Sequence, residues 1–164
     1  MLGRPILDGN GGYDEDRIEG TRIIDLGVML SGEDISDTDL RWTDLSEANL
    51  VRADLSRCNL TKANLSVTIL AGAKLIGANI KGSRLFYGSI ELASPCNRTD
   101  SPNYITGEFT GAMVENVDFT NVQEMSEEQR QYCCAWCGEV SRQSIPGGCK
   151  GIIDRLNAID KMYV

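Results

Sequence analysis

Histidine is absent from these 164 residues. Imidazole is therefore unavailable as a general base, and the commonest metal ligand is missing. Aromatic residues make up only 6% of the chain, so its core must be aliphatic. No apolar run approaches the roughly 20 residues that a membrane-spanning helix needs, so no membrane partner is expected. Met1–Asn10 has neither a basic head nor an apolar centre. A signal peptide is therefore not expected, and the chain reads as a cytoplasmic protein or a mature form. There is no nucleophile–base pair and no phosphate-binding loop. These absences argue against an enzyme: no catalytic residue, no cofactor and no metal site are assigned.

What is present is a period. An aliphatic residue recurs every five positions from Ile35 through Leu40, Leu45, Leu50, Leu55, Leu60, Leu65, Leu70, Leu75, Ile80 and Leu85 to Ile90. Two residues before most centres stands something small, among them Thr38, Ala48, Ala53, Cys58, Ala63, Ala73, Ala78 and Ser83. Asp or Asn lies between the two in most repeats, from Asp34 through Asp54 to Asn79. A helix repeats its apolar face every 3.6 residues and a strand every 2, so a strict five fits neither. Fixed-period self-similarity marks a repeat architecture whose stacked units share one core.

The segments ADLSR, CNLTK, ANLSV, AKLIG and ANIKG, beginning at Ala53, Cys58, Ala63, Ala73 and Ala78, resemble the A(D/N)LXX motif of the pentapeptide-repeat family. The resemblance implies an all-β solenoid: a right-handed quadrilateral β-helix with four repeats per coil. About four to five coils are expected, closed by an α-helical C-terminal cap. The central aliphatic and the small residue before it are expected to point inward. Burying each leucine is worth roughly 1.5–3 kcal/mol. Coils would lie about 4.7–4.9 Å apart in the hydrogen-bonding direction. The Asp/Asn row reads as turn chemistry, since such side chains bond the nearby backbone.

The formal net charge is −8. Some members of the family inhibit DNA gyrase as DNA mimics, so an acidic wall is the feature to look for. Within residues 33–90 seven acids (Glu33, Asp34, Asp37, Asp39, Asp44, Glu47, Asp54) meet seven bases (Arg41, Arg52, Arg57, Lys62, Lys74, Lys81, Arg84). The repeats are neutral. The acidic excess belongs to the ends, where it serves solubility.

The chain divides into a lead-in with a capping strand (1–32), the repeats (33–122) with an inserted loop at 91–103, and a helical, Cys-rich cap (123–164). Asp8–Glu19 spaces its acids rather like a calcium loop, but Tyr13 stands where the sharp turn wants glycine, so it reads as a solvated acidic loop. Arg22–Leu30 reads as a strand over the open end of the shaft. Pro95 and Pro102 mark the extruded loop, and Asn97-Arg-Thr99 is a glycosylation pattern. Phe109, Val114 and Phe119 suggest about one more coil. Ser126-Glu-Glu-Gln129 is a capping box, predicting a helix to about Trp136 that ends at Gly138. Ile152, Leu156, Ile159 and Tyr163 predict a second helix over 152–162.

Cys58 reads as a small buried hydrophobe. Cys96, Cys133, Cys134, Cys137 and Cys149 lie outside the main repeats, and three readings compete for them. They are structural disulfides, a zinc set, or reduced, redox-sensing thiols. Disulfides are preferred, with Cys137–Cys149 as the first pairing. They would imply an oxidising compartment, periplasm or thylakoid lumen, and family resemblance points to cyanobacteria or chloroplasts. Otherwise the protein is cytoplasmic.

Val67, Phe86 and Tyr87 should share a wall with Glu47, while Trp42 sits on the neighbouring one. Trp42, Phe86 and Tyr87 form either a partner patch or a surface covered by the insert or tail. A shaft of this width should offer walls and no cavity. The expected function is a non-enzymatic scaffold that binds an unknown protein partner, as monomer or dimer, without binding nucleic acid directly. The alternatives are a topoisomerase-directed DNA mimic and a thiol-redox responsive protein.

Overall fold

The computed structural model describes residues 22–23 and 29–152. The acidic stretch 8–19 and the helix expected over 152–162 lie essentially outside those residues. The architecture follows from one pairing rule. Asp34 bridges Asp54, Asp39 bridges Asn59, Asn49 bridges Ile69 and Asn59 bridges Asn79, all parallel and all twenty residues apart. One coil therefore takes four five-residue repeats. Two short strands, β1 (Arg22–Ile23) and β2 (Thr43–Asp44), pair in parallel, the second of them within the repeats.

Backbone bonds hold each coil to the next. Leu40 N–H donates to Asn59 C=O at 2.8 Å, Leu60 N–H to Asn79 C=O at 2.7 Å, and Asn79 N–H to Cys58 C=O at 3.0 Å. Such ladders meet the hydrogen-bonding requirement of a buried main chain. Within a coil the direction changes at every repeat. The carbonyl of Leu50 accepts from Ala53 N–H at 3.0 Å, and that of Leu60 from Ala63 N–H at 3.0 Å. The residue two after the centre then has positive φ, the signature of a type II turn. Ordinary residues hold it at Asp37, Trp42, Glu47, Arg52, Arg57, Lys62 and Val67, whereas Gly77 and Gly82 relieve it in the coil above.

The Asp/Asn row does turn work. Asn59 Oδ1 accepts from Thr61 N–H at 3.1 Å and from its hydroxyl at 2.7 Å; Asp44 Oδ1 accepts from Ser46 N–H at 2.9 Å. Each such bond fixes the corner that turns the next leucine inward. Inside, Leu40 through Leu75 and Ile80 are fully buried, with Ala48, Ala53, Ala63, Ala73 and Ala78 beside them. Cys58 takes the small inward position, its thiol donating to Ile35 C=O at 3.1 Å.

Pairing then jumps. Ile69 bridges Met113, Lys74 bridges Asp118 and Asn79 bridges Gln123, each forty-four residues apart instead of twenty. The insert thus amounts to twenty-four residues. Val114 and Phe119 are buried centres of the resumed coil. Phe109, expected as a centre too, is not one: it is half-buried with φ 59°, and its N–H donates to Ser94 of the insert at 2.9 Å.

The cap helix α1 (Glu127–Trp136) begins at Ser126 with both capping-box bonds in place. It ends at Cys137, and Gly138 follows at φ 89°, a conformation glycine adopts without steric cost. Gln129 Nε2 donates to Ile80 C=O at 3.0 Å and to Ser83 C=O at 2.9 Å, meeting carbonyls at the end of the shaft. Tyr132 is fully buried and its hydroxyl donates to Ala112 C=O at 2.6 Å. A single turn, α2 (Glu139–Arg142), follows, and Ser141 donates to Val117 C=O. No helix among the described residues is long and apolar enough to cross a membrane.

Leu60→Ala should lower unfolding free energy by about 2–5 kcal/mol in a denaturant titration, because close packing on all sides leaves a cavity. Lys81→Ala, on the exposed side of the next coil, should stay within about 0.5 kcal/mol.

Candidate functional site

With the interior filled by aliphatics, only outward side chains and appended elements can meet another molecule. The three aromatics expected on the walls have different fates. Trp42 remains 42% exposed. Phe86 is 9% exposed, stacked on Tyr132 with ring centroids 5.0 Å apart. Tyr87 is half-buried, edge-on to Tyr104 of the insert at 5.0 Å, with the Arg84 guanidinium 4.2 Å above its ring. Helix α1 therefore removes Phe86 from any surface patch, and the insert claims most of Tyr87. The physical reason is burial: an aromatic pair gains more against another ring than against water.

The expectation of walls without cavities needs correction, because the same two additions create clefts outside the shaft. One, of about 570 Å³, opens where Trp42, Lys62 and Arg84 face Ser126, Glu128 and Gln129 at the start of α1. Its charge is mixed. The other, of about 900 Å³, lies between the insert, the last coil and the end of α1. Leu92, Pro95, Phe109, Met113 and Trp136 give it an apolar lining. Each cleft touches one repeat centre, Leu85 in the smaller and Val114 in the larger. Sequence reasoning missed Leu92 and Trp136, although a large apolar residue in a proline-rich loop and a tryptophan at a helix end were visible.

The shaft surface carries ion pairs. Arg57 spans two coils to Asp37 with contacts of 2.7 and 2.8 Å, and Arg41 grips Asp39 at 2.8–2.9 Å. Both are exposed pairs between close neighbours, which contribute little stability. They place a cation beside an anion at these two points of the shaft surface.

Cys134 and Cys149 are bonded, with Cα atoms 5.5 Å apart. The pairing of Cys149 with Cys137 is thus corrected to Cys134, which the helix turns toward the returning loop. The Arg130 guanidinium fixes that loop, donating to Gly148 C=O at 2.5 Å. Cys137 stays buried, its thiol donating to Gly138 C=O at 3.5 Å. Cys96 is buried in the insert, away from this bond. The zinc reading loses two sulfurs to the disulfide, and no group of His, Cys, Asp or Glu among the described residues gathers as a metal set. The redox reading needs an accessible thiolate. Burial instead pushes the Cys133 thiol far above its ordinary range, with Cys137 adding to the effect, and burial pushes Cys58 up to about 11.

Stacked coils of twenty residues, built from five-residue units around one aliphatic column, define a short-period solenoid. The family model for pentapeptide repeats matches residues 34–70 and 48–85, in eight copies. Residues 34–85 of the chain are pentapeptide repeats. No curated protein matches it.

A non-reducing peptide map should recover the Cys134–Cys149 link. Cys149→Ser should cost about 3 kcal/mol, the scale for closing a loop of 15 residues. Alkali gives a second expectation. Above the ordinary value of 9.0 the unfolded Cys58 thiol ionises, while the folded one keeps its proton to about 11. Its contribution is complete below pH 9.0 and is lost between there and about 11. Denaturation midpoints should therefore fall less steeply across that window in Cys58→Ala than in the parent.

Proposed function

We propose that the protein is a non-enzymatic scaffold whose repeats wind as a right-handed quadrilateral β-helix and present rigid walls to a protein partner. One observation carries the reading: the polar row that runs along the repeats is committed to holding the coil. The Asp/Asn row bonds its own turns, as at Asp54 Oδ1 and Ser56 N–H (2.9 Å) and at Asn64 Oδ1 and Ser66 N–H (3.0 Å). A carboxylate saturated by local donors is a poor general base. Pentapeptide-repeat proteins are generally non-enzymatic, which supports the same conclusion.

The partner surface of this proposal is the wall around Trp42 and the accessible edge of Tyr87, together with the mixed-charge cleft between them and α1. Aromatic anchors beside charged groups carry much of the energy in protein interfaces. The disulfide in the cap is at home in an oxidising compartment. There the tied cap would keep the shaft closed while the walls stay free. Quantitative affinity capture from the native extract tests the reading. Trp42→Ser and Tyr87→Ser should each deplete the same captured proteins at least severalfold. An unchanged set would remove this wall from consideration.

A further inference from the structure

The larger cleft has a chemistry of its own. Its apolar lining comes from three separate places: Leu92 and Pro95 of the insert, Met113 of the last coil, and Trp136 at the end of α1. Leu92 is 52% exposed, so a large aliphatic side chain stands partly in water at the mouth. Around this lining stand Glu91, Glu108 and Glu115, all exposed, and among the described residues no lysine or arginine lines the groove. That separates it from the smaller cleft, where Lys62 and Arg84 face Glu128.

The groove is also braced on each side. Pro95 bridges Gly111, and Cys96 N–H donates to Gly111 C=O at 2.9 Å, fixing the insert to the coil. Asn116 N–H donates to Cys137 C=O at 3.0 Å, fixing the end of α1 to the same coil. The Cys134–Cys149 bond lies two residues from Trp136. A groove held open by three such ties loses little order on binding, which favours affinity. The Trp136 indole N–H is buried without an acceptor, an unmet donor of the kind that costs free energy until a partner supplies one.

We propose that this groove docks a short apolar segment of a protein partner flanked by lysine or arginine. The apolar side chains would cover Leu92, Met113 and Phe109, and the flanking cations would meet Glu91, Glu108 and Glu115. Complementary charge of this kind selects partners and speeds encounter. The proposal rests on the scaffold reading and gives it a specific surface and partner chemistry.

The test is panning of a phage-displayed random dodecapeptide library on the intact, oxidised protein, followed by fluorescence anisotropy with the enriched peptides. Enriched sequences should combine aliphatic or aromatic residues with flanking Lys or Arg. Leu92→Asp should weaken them by about tenfold or more, the scale set by burying one leucine side chain. Glu108→Lys with Glu115→Lys should turn the preference toward acidic flanks. All three positions are at the surface, so unchanged thermal melting will show that these variants fold. Failure of any peptide to enrich, or enrichment without basic flanks, overturns the proposal. Loss on Trp42→Ser with no effect of Leu92→Asp also overturns it, while leaving the scaffold reading intact on the wall around Trp42. A concentration-dependent dimer dissolved by Leu92→Asp would assign the groove to a second copy and equally overturn it.

Discussion

The parallel backbone bond between residues twenty apart is the constraint on which everything else depends. Each coil has no regular secondary structure of its own, only short extended sides and turns. Its amides are met by the coil above and the coil below, as when Asn59 N–H donates to Thr38 C=O and Leu60 N–H donates to Asn79 C=O. A closed turn of twenty residues must therefore repeat in length, and any insertion must leave and return at one corner. The interval of forty-four residues from Ile69 to Met113 does this. The column of leucines is the other half of the same constraint. Stacking brings each centre over the next, so one narrow core is shared by units that could not bury it alone.

The period was fully legible in the chain because it is a one-dimensional signal: Leu40, Leu60 and Ile80 needed only counting. The number of repeats per coil was a different matter. Nothing in a spacing of five distinguishes three sides from four, and that number came from family resemblance. The capping box at Ser126–Gln129 was readable because its partners are three residues apart. The disulfide was not readable to the residue. Cys134 and Cys137 are both on or beside one helix, and which of them meets Cys149 depends on how the Pro-Gly-Gly loop returns across α1.

The same limit explains the aromatics. Phe86 and Tyr87 stand at outward positions, and the repeat alone would expose both. What covers them comes from far along the chain, Tyr132 from α1 and Tyr104 from the insert. No local pattern announces such contacts. Phe109 failed for the opposite reason, because its spacing agreed with the repeat by coincidence while the insert held it with Ser94. The two clefts followed the covering elements, which is why neither could be read from the walls.

A solenoid of this kind places strict demands on three of every five residues. The centre must be aliphatic, the position before it must bond its turn, and the inward position must be small. The two remaining positions face outward, and one of those is held in the left-handed region, where Trp42, Lys62 and Val67 stand at φ 55–61°. A branched or bulky residue there carries backbone strain that glycine at Gly77 and Gly82 avoids. Ordinary residues persist at these corners because the ladder above and below overdetermines the backbone. Variation free of such demands is thus confined to about one residue per repeat, buried in its turn at Ser56, Ser66 and Phe86, too few to build a concave site. Recognition that needs depth must come from elements added to the shaft, and in this chain those elements are the insert and the disulfide-tied cap.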